Sequence, residues 1–213
     1  MEYSTEPGNA RATPGILAAV PSLIGHSLVG LGVAQGLFGF RSKQVLAGAI
    51  ICAGLADLDV IGVAWKIPYE SFFGHRGFFH SIFFALVLAT TMMPIGFRGL
   101  SPRRGRWWAI WGLFAFLACS HGVLDTMTHG YGGPAGHGVA LLSPLDSTRY
   151  WMSWQPIVIA PGGLREFFDG GKMTDWGKAV LVSEALYLYL PTVALVVVGA
   201  LVRRWRQRRL GCL

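Results

Sequence analysis

Apolar residues run almost unbroken through five stretches of the chain, at about 15–38, 45–67, 77–97, 107–127 and 179–202. Each reaches the roughly 20 residues that an α-helix needs to cross a hydrocarbon layer. The pattern predicts an all-α, polytopic membrane protein with five transmembrane helices, forming one membrane domain over residues 1–213. Polar residues collect in the connections between them. The longest connection, 128–178, carries Gly132, Gly133, Pro134, Trp151, Trp154, Pro156 and Pro161. That content predicts an ordered lid against the membrane surface, where Trp and Tyr are favoured. Trp107, Trp108 and Trp111, at the start of the fourth window, read as an interfacial belt. The chain shows no internal repeat and no low-complexity tract.

Composition agrees with this reading. The chain is 53% hydrophobic, with 14% charged residues and a mean hydropathy of +0.47, well below the ~25% charged share of soluble domains. The net charge of +7 would suit a nucleic-acid partner only if the basic residues shared a solvated face, and here they flank apolar segments, so no nucleic-acid partner is expected. The charge is a topology signal instead. Arg41 and Lys43 follow the first window, Arg98, Arg103, Arg104 and Arg106 the third, and Arg203, Arg204, Arg206, Arg208 and Arg209 the fifth, with no acidic residue among them. Acids outside the windows (Glu2, Glu6, Glu70, Asp146, Glu166, Asp169, Asp175) fall on the alternate side. Because Lys and Arg near helix ends stay cytoplasmic, the N-terminus is expected outside, the C-terminus in the cytoplasm, and the long loop outside. Residues 1–14 lack the basic start of a cleavable signal peptide, so the first window is expected to be retained. The C-terminal Gly-Cys-Leu is not a prenylation box. Three cysteines without a pairing pattern give no disulfide framework.

The chemistry-bearing residues are not scattered. His26 lies in the first window, Asp57 and Asp59 in the outer half of the second, His75 and His80 at the start of the third, and His121 and Asp125 at the end of the fourth, with His129 and His137 just beyond. His121, Asp125 and His129 at i, i+4, i+8 predict one helical stripe with steps of about 6 Å. Asp57 and Asp59 would point roughly 200° apart on a regular helix, so both reach one site only if the helix breaks there, which Gly54 and Gly62 would permit. An acid at mid-membrane depth costs about 2.5–3.5 kcal/mol, and a divalent cation would compensate several at once. Imidazole and carboxylate donors suit zinc, or manganese or iron where oxygen dominates. The plainer readings are a packing role for His26, a buried ion pair or proton relay for His121 and Asp125, a helix-end cap for the aspartate pair, solvated loop residues for His129 and His137, and a headgroup anchor for Arg76. Glu184 stands apart, facing the same cavity or pairing with a backbone group.

Four blocks carry a resemblance: Gly25-His26-Ser27, Ala56-Asp57-Leu58-Asp59, His75-Arg76-Gly77-Phe78-Phe79-His80-Ser81 and His121-Gly122-Val123-Leu124-Asp125-Thr126-Met127-Thr128. Together they resemble the YdjM-type family of inner-membrane, metal-dependent hydrolases, over about residues 16–150. The resemblance implies metal ligation by His26, Asp57, Asp59, His75, His80, His121 and Asp125, with His129 as an additional candidate, and a bacterial inner-membrane location. The HxxxD step is also similar, more distantly, to the zinc-dependent phospholipase C and single-strand nuclease superfamily, which implies a phosphoester substrate. After that step the chain departs from the family pattern with Thr128-His129-Gly130-Tyr131-Gly132 and a Gly-rich segment through His137.

The resulting expectation is a membrane-embedded, divalent-metal-dependent hydrolase acting on a phosphoester, with a lipid favoured by the membrane setting. Metal would lower the pKa of a bound water and polarise the scissile bond. Asp59 is expected as bridging ligand or general base, and Arg76 as the group that stabilises developing negative charge. Rival readings are a metal- or proton-handling transporter, supported by a His26 deeper than the other ligands, and a non-catalytic scaffold whose basic tail recruits a partner or anionic lipid. The orientation has its own check: reporter fusions after Arg104 and Arg209 should read as cytoplasmic and a fusion within 138–159 as external, and a cytoplasmic signal from the last would invert the topology.

Overall fold

The computed structural model describes residues 20–130, 138–159 and 167–210, and these are mostly helical. Helix α1 is Val20–Gly36, α2 is Lys43–Gly54, and α2 runs on through a 3-10 segment, Leu55–Val60, into a single turn, α3, Ile61–Ala64. A second 3-10 turn, Phe78–His80, precedes α4, Ile82–Gly96, and α5 is Gly105–Asp125. After two short strand pairings, α6 (Asp175–Glu184) passes through a π-helical turn, Ala185–Tyr189, into α7, Leu190–Leu210. Among the described residues, two continuous helical stretches are long and apolar enough to cross a membrane, Gly105–Asp125 and Asp175–Arg209. At 12 and 15 residues, α2 and α4 are shorter than the windows read from hydropathy. The second and third windows are cut short because the chain leaves regular helix at 55–60 and 65–81, where it turns side chains inward.

The core lies where α2, α4 and α5 meet. Val45, Ala49, Cys52, Ala89, Met93, Leu113, Phe114 and Leu117 are buried there. Small residues let α1 and α2 approach: a Cβ built on Gly30 would stand 2.6 Å from Ala53 Cβ and 2.7 Å from the Ala49 carbonyl oxygen. Such small-residue contacts drive helix association where lipid tails are as apolar as the side chains. The outside is also apolar. Leu190, Val193, Val197, Val198 and Leu201 on α7 are each at least half exposed, a surface suited to hydrocarbon. Arg203 folds back to donate to the Gly36 carbonyl at 2.9 Å, which ties the end of α7 to the end of α1. The basic loops and tail thus share one end of the bundle, and the histidines and aspartates occupy the other.

The described part of the long connection covers that second end. Thr128–His129 (β1) pairs in parallel with Ile157–Val158 (β2), and Val139 bridges Tyr150. Phe168–Asp169 (β3) pairs antiparallel with Lys172–Met173 (β4). Ala140 N donates to the Arg76 carbonyl and Ile82 N to the Leu141 carbonyl, each at 3.0 Å. Ser81 and Thr174 cap α4 and α6 by accepting from Phe84 N and Gly177 N. Because Gly30 sits against α2 backbone, Gly30→Val is expected to force α1 and α2 apart and cost about 1–3 kcal/mol. A lowered thermal unfolding midpoint in detergent would register this, and an unchanged midpoint would refute the close packing.

Candidate metal centre

Five separate segments deliver side chains to one buried cluster. His26 comes from α1, Asp57 and Asp59 from the 3-10 segment after α2, His75 and Arg76 from the loop before α4, His80 from the second 3-10 turn, and His121 and Asp125 from the last turns of α5. All except the half-buried His75 are buried. The broken helix expected from the Asp57, Asp59 spacing is present, and its use is plain: the two aspartates bracket the His80 ring. Asp57 Oδ1 lies 3.9 Å from His80 Nε2, and Asp59 Oδ2 lies 3.1 Å from His80 Nδ1.

Hydrogen bonds fix how the imidazoles present themselves. His121 Nδ1 is 2.6 Å from the Ala53 carbonyl oxygen, which only accepts, so a proton resides on Nδ1, and the ring in its neutral form would turn its Nε2 lone pair inward. That Nε2 faces Asp57 Oδ1 at 3.4 Å, Asp125 Oδ2 at 3.9 Å and His80 Nε2 at 3.2 Å. His26 closes another side, with Nε2 3.3 Å from Asp125 Oδ1 and its ring 4.0 Å from that of His121. Asp57, His80, His121 and Asp125 each offer a ligand atom, all within 4.8 Å of one another, and Asp59, His75 and His80 form a second such group. Among the described residues, Asp57 Oδ2 is buried without a hydrogen-bond partner, while both Asp125 oxygens and His80 Nδ1 meet only ionisable neighbours at 3.1–3.4 Å. Electron-rich atoms converging in this way repel unless a cation or protons lie between them, so the donor set fits a divalent metal.

Asp59 and Arg76 are tied to each other and to the ligand groups. Asp59 receives His75 Nδ1 at 2.5 Å on Oδ1 and the Arg76 backbone N–H at 3.0 Å on Oδ2. Arg76 has φ +62, a left-handed conformation that costs a non-glycine residue about 1–3 kcal/mol, and it turns the side chain into the cluster. There Nη1 donates to Thr128 Oγ1 at 2.8 Å and Nε lies 3.4 Å from Asp125 Oδ2. Burial disfavours the charged guanidinium, but Asp125, followed by Tyr69, Asp57 and Asp59, outweighs it and holds the Arg76 pKa above its ordinary value.

The geometry corrects two expectations, on His129 and His26, and adds a partner for Glu184. Helix α5 ends at Asp125, so His129 is not on the helical stripe but in β1 and is outside both ligand groups. His26 is level with Asp125, in contact with it, not deeper than the rest. Glu184 is buried and accepts from the Tyr189 hydroxyl. His137 lies outside the described residues. Arg149 had been given no role. It donates to the backbone carbonyls of Tyr69 at 2.5 Å and His75 at 3.2 Å, pairs with Glu70 at 3.0 Å and stacks 4.5 Å over the Tyr69 ring. It clamps the turn that carries His75.

A model of the YdjM inner membrane protein family matches residues 22–207, a span that contains every segment of this cluster. The chain belongs to the YdjM inner membrane protein family. It is 34% identical over 194 residues to the inner membrane protein YbcI of Escherichia coli (strain K12), covering 89% of this chain and 100% of that protein. No solved structure matches. Family membership and the two long apolar helices assign this YdjM-family chain to the inner membrane. Within it, Arg76→Leu should leave Asp125 as an uncompensated buried charge, a loss of about 3–5 kcal/mol. A thermal midpoint in detergent unchanged from wild type would show that Asp125 does not depend on Arg76.

Proposed function

We propose that this protein is a membrane-embedded, divalent-metal-dependent hydrolase acting on a phosphoester. The supporting observation is the His121 ring, whose Nδ1–H is committed to the Ala53 carbonyl while its Nε2 faces two carboxylates and a second imidazole. Asp57, His80, His121 and Asp125 would hold the cation, with His26 beside them. Mixed imidazole and carboxylate donors favour zinc over manganese or iron. A divalent cation bound there supplies Lewis acidity for hydrolysis. Asp59 orients His75 and His80 through its two oxygens, as carboxylates behind ligating histidines do. Arg76 balances Asp125, and its guanidinium is the cationic group at hand for an anionic substrate oxygen. The bundle is read as five spans, with the shorter helices completed by the segments that reach the cluster, the N-terminus outside and the basic ends in the cytoplasm.

Elemental analysis of detergent-purified protein is the direct test. Wild type and His129→Ala should carry stoichiometric divalent metal, and Asp57→Ala and His121→Ala should carry none. Asp59→Asn should retain a site weakened by about 10–100-fold, the usual consequence of removing an orienting carboxylate. Metal-dependent hydrolysis of bis(4-nitrophenyl) phosphate should follow the same order. No metal in wild type purified without chelator would overturn the hydrolase reading and leave a proton relay.

A further inference from the structure

A cavity of about 510 Å³ adjoins the second ligand group and belongs to none of the chemistry above. Its walls come from the segments that break the second and third apolar windows: Leu55 and Leu58 of the first 3-10 segment, Gly62 of α3, Phe73 and Phe79 before α4, and Phe84 on α4. Asp59 is the one charged residue in the lining, and its carboxylate is turned to His75 and His80. The volume falls within the roughly 300–1,000 Å³ typical of small-molecule sites. Tilted and edge-on rings, Phe73 to Phe79 at 5.9 Å and Phe79 to Phe84 at 5.2 Å, give one wall a fixed shape. The opposite rim is open: Leu58, Ile61 and Trp65 are 45%, 36% and 76% exposed.

We infer that this cavity seats a hydrocarbon chain of a lipid substrate and so presents the adjoining phosphoester to the Asp59, His75 end of the cluster. The inference rests on the phosphoesterase reading and names its substrate class. Three observations single out this occupant. The lining offers a ligand no hydrogen-bonding side chain apart from the inner carboxylate and the Trp65 indole, so a polar or sugar-like molecule would lose its hydration without replacement. The rim is apolar and stands on a protein of the inner membrane, where acyl chains are the abundant apolar molecules. The cavity also abuts the candidate centre, with Asp59, whose side chain is fully buried and turned to the histidines, forming the partition between them. Gly62 is the smallest residue of the lining, and a Cβ there would already stand 3.3 Å from Ile67 Cδ1, so a larger side chain must fill the cavity.

Photo-crosslinking tests this independently of turnover. Full-length protein in phosphatidylcholine nanodiscs is irradiated with hexadecyl phosphate carrying a diazirine at the chain end, and adducts in peptides spanning 55–84 are compared with adducts on the exposed face of α7. In wild type the former should dominate, and Gly62→Leu and the rim variant Leu58→Trp should each reduce that ratio at least tenfold while keeping wild-type metal content. Adducts distributed in proportion to exposed apolar surface, or a ratio indifferent to both variants, would overturn the chain site. Loss of the adduct in both variants from a protein without phosphoesterase activity would keep the chain site and sink the hydrolase reading. Hydrolysis with an indifferent adduct ratio would do the reverse.

Discussion

Three carboxylates buried around a single guanidinium constrain the rest of this structure. Asp57, Asp59 and Asp125 are each less than a tenth exposed, and Arg76 is the one arginine or lysine among them. If the histidines are neutral, two negative charges remain uncompensated in a low-dielectric interior, where an unpaired charge costs several kcal/mol. One divalent cation offsets that excess without protonating any imidazole. The backbone follows the same demand. The second apolar stretch gives up α-helix for a 3-10 turn so that Asp57 and Asp59 reach opposite nitrogens of His80. Arg76 adopts a left-handed conformation that places both its N–H and its guanidinium among the acids.

Holding that arrangement takes support from outside the helices. The turn bearing His75 is fastened by Arg149, and a chain of short backbone bonds from Pro68 to His80 leaves no room for a side chain at Gly74, whose Cβ would run into the Pro68 and Tyr69 carbonyls. Met152 N donates to the Thr126 carbonyl, and β1 pairs with β2, so the polypeptide after α5 lies back over the end of that helix. The loop is therefore part of the site's construction, and Val158 N, donating to Ser183 Oγ, joins it to α6 as well.

Much of this was legible in the sequence, for identifiable reasons. Intramembrane acids and histidines are expensive, so finding seven of them near the predicted outer ends of four apolar stretches was informative before any fold was known. The broken helix could be read because two aspartates two residues apart cannot share a site otherwise. Helix ends were less legible. Hydropathy carries apolar residues past the point where α5 stops, so His129 was placed on a stripe that ends at Asp125. The Glu184, Tyr189 pair was hidden for a different reason: at i, i+5 these side chains stand about 140° apart on a regular helix, and only the π-turn over Ala185–Tyr189 lets them meet. Arg149 stands in a stretch that matches the family pattern, but its clamping role is not legible in sequence, because the carbonyls it holds are 74 and 80 residues away.

Helix direction adds a preference of its own. Helix α5 terminates at the cluster, and backbone carbonyls of α2 and α5 take part in it: Ala53 accepts from His121, and the Asp125 carbonyl accepts from Arg76 at 3.5 Å and from Thr128 Oγ1 at 2.8 Å. A helix C-terminus carries roughly half a negative charge, so the end of α5 raises the cost of the three carboxylates and rewards a cation. The N-terminus of α4 arrives at the same end, yet its donors are engaged elsewhere, Phe84 N by Ser81 Oγ and Ile82 N by the Leu141 carbonyl. The three carboxylates and these carbonyls together favour a cation at this site. If the proposed phosphoesterase reading holds, an anionic substrate would meet favourable charge beyond Arg76 only with the cation in place, which would make metal binding a precondition for substrate binding.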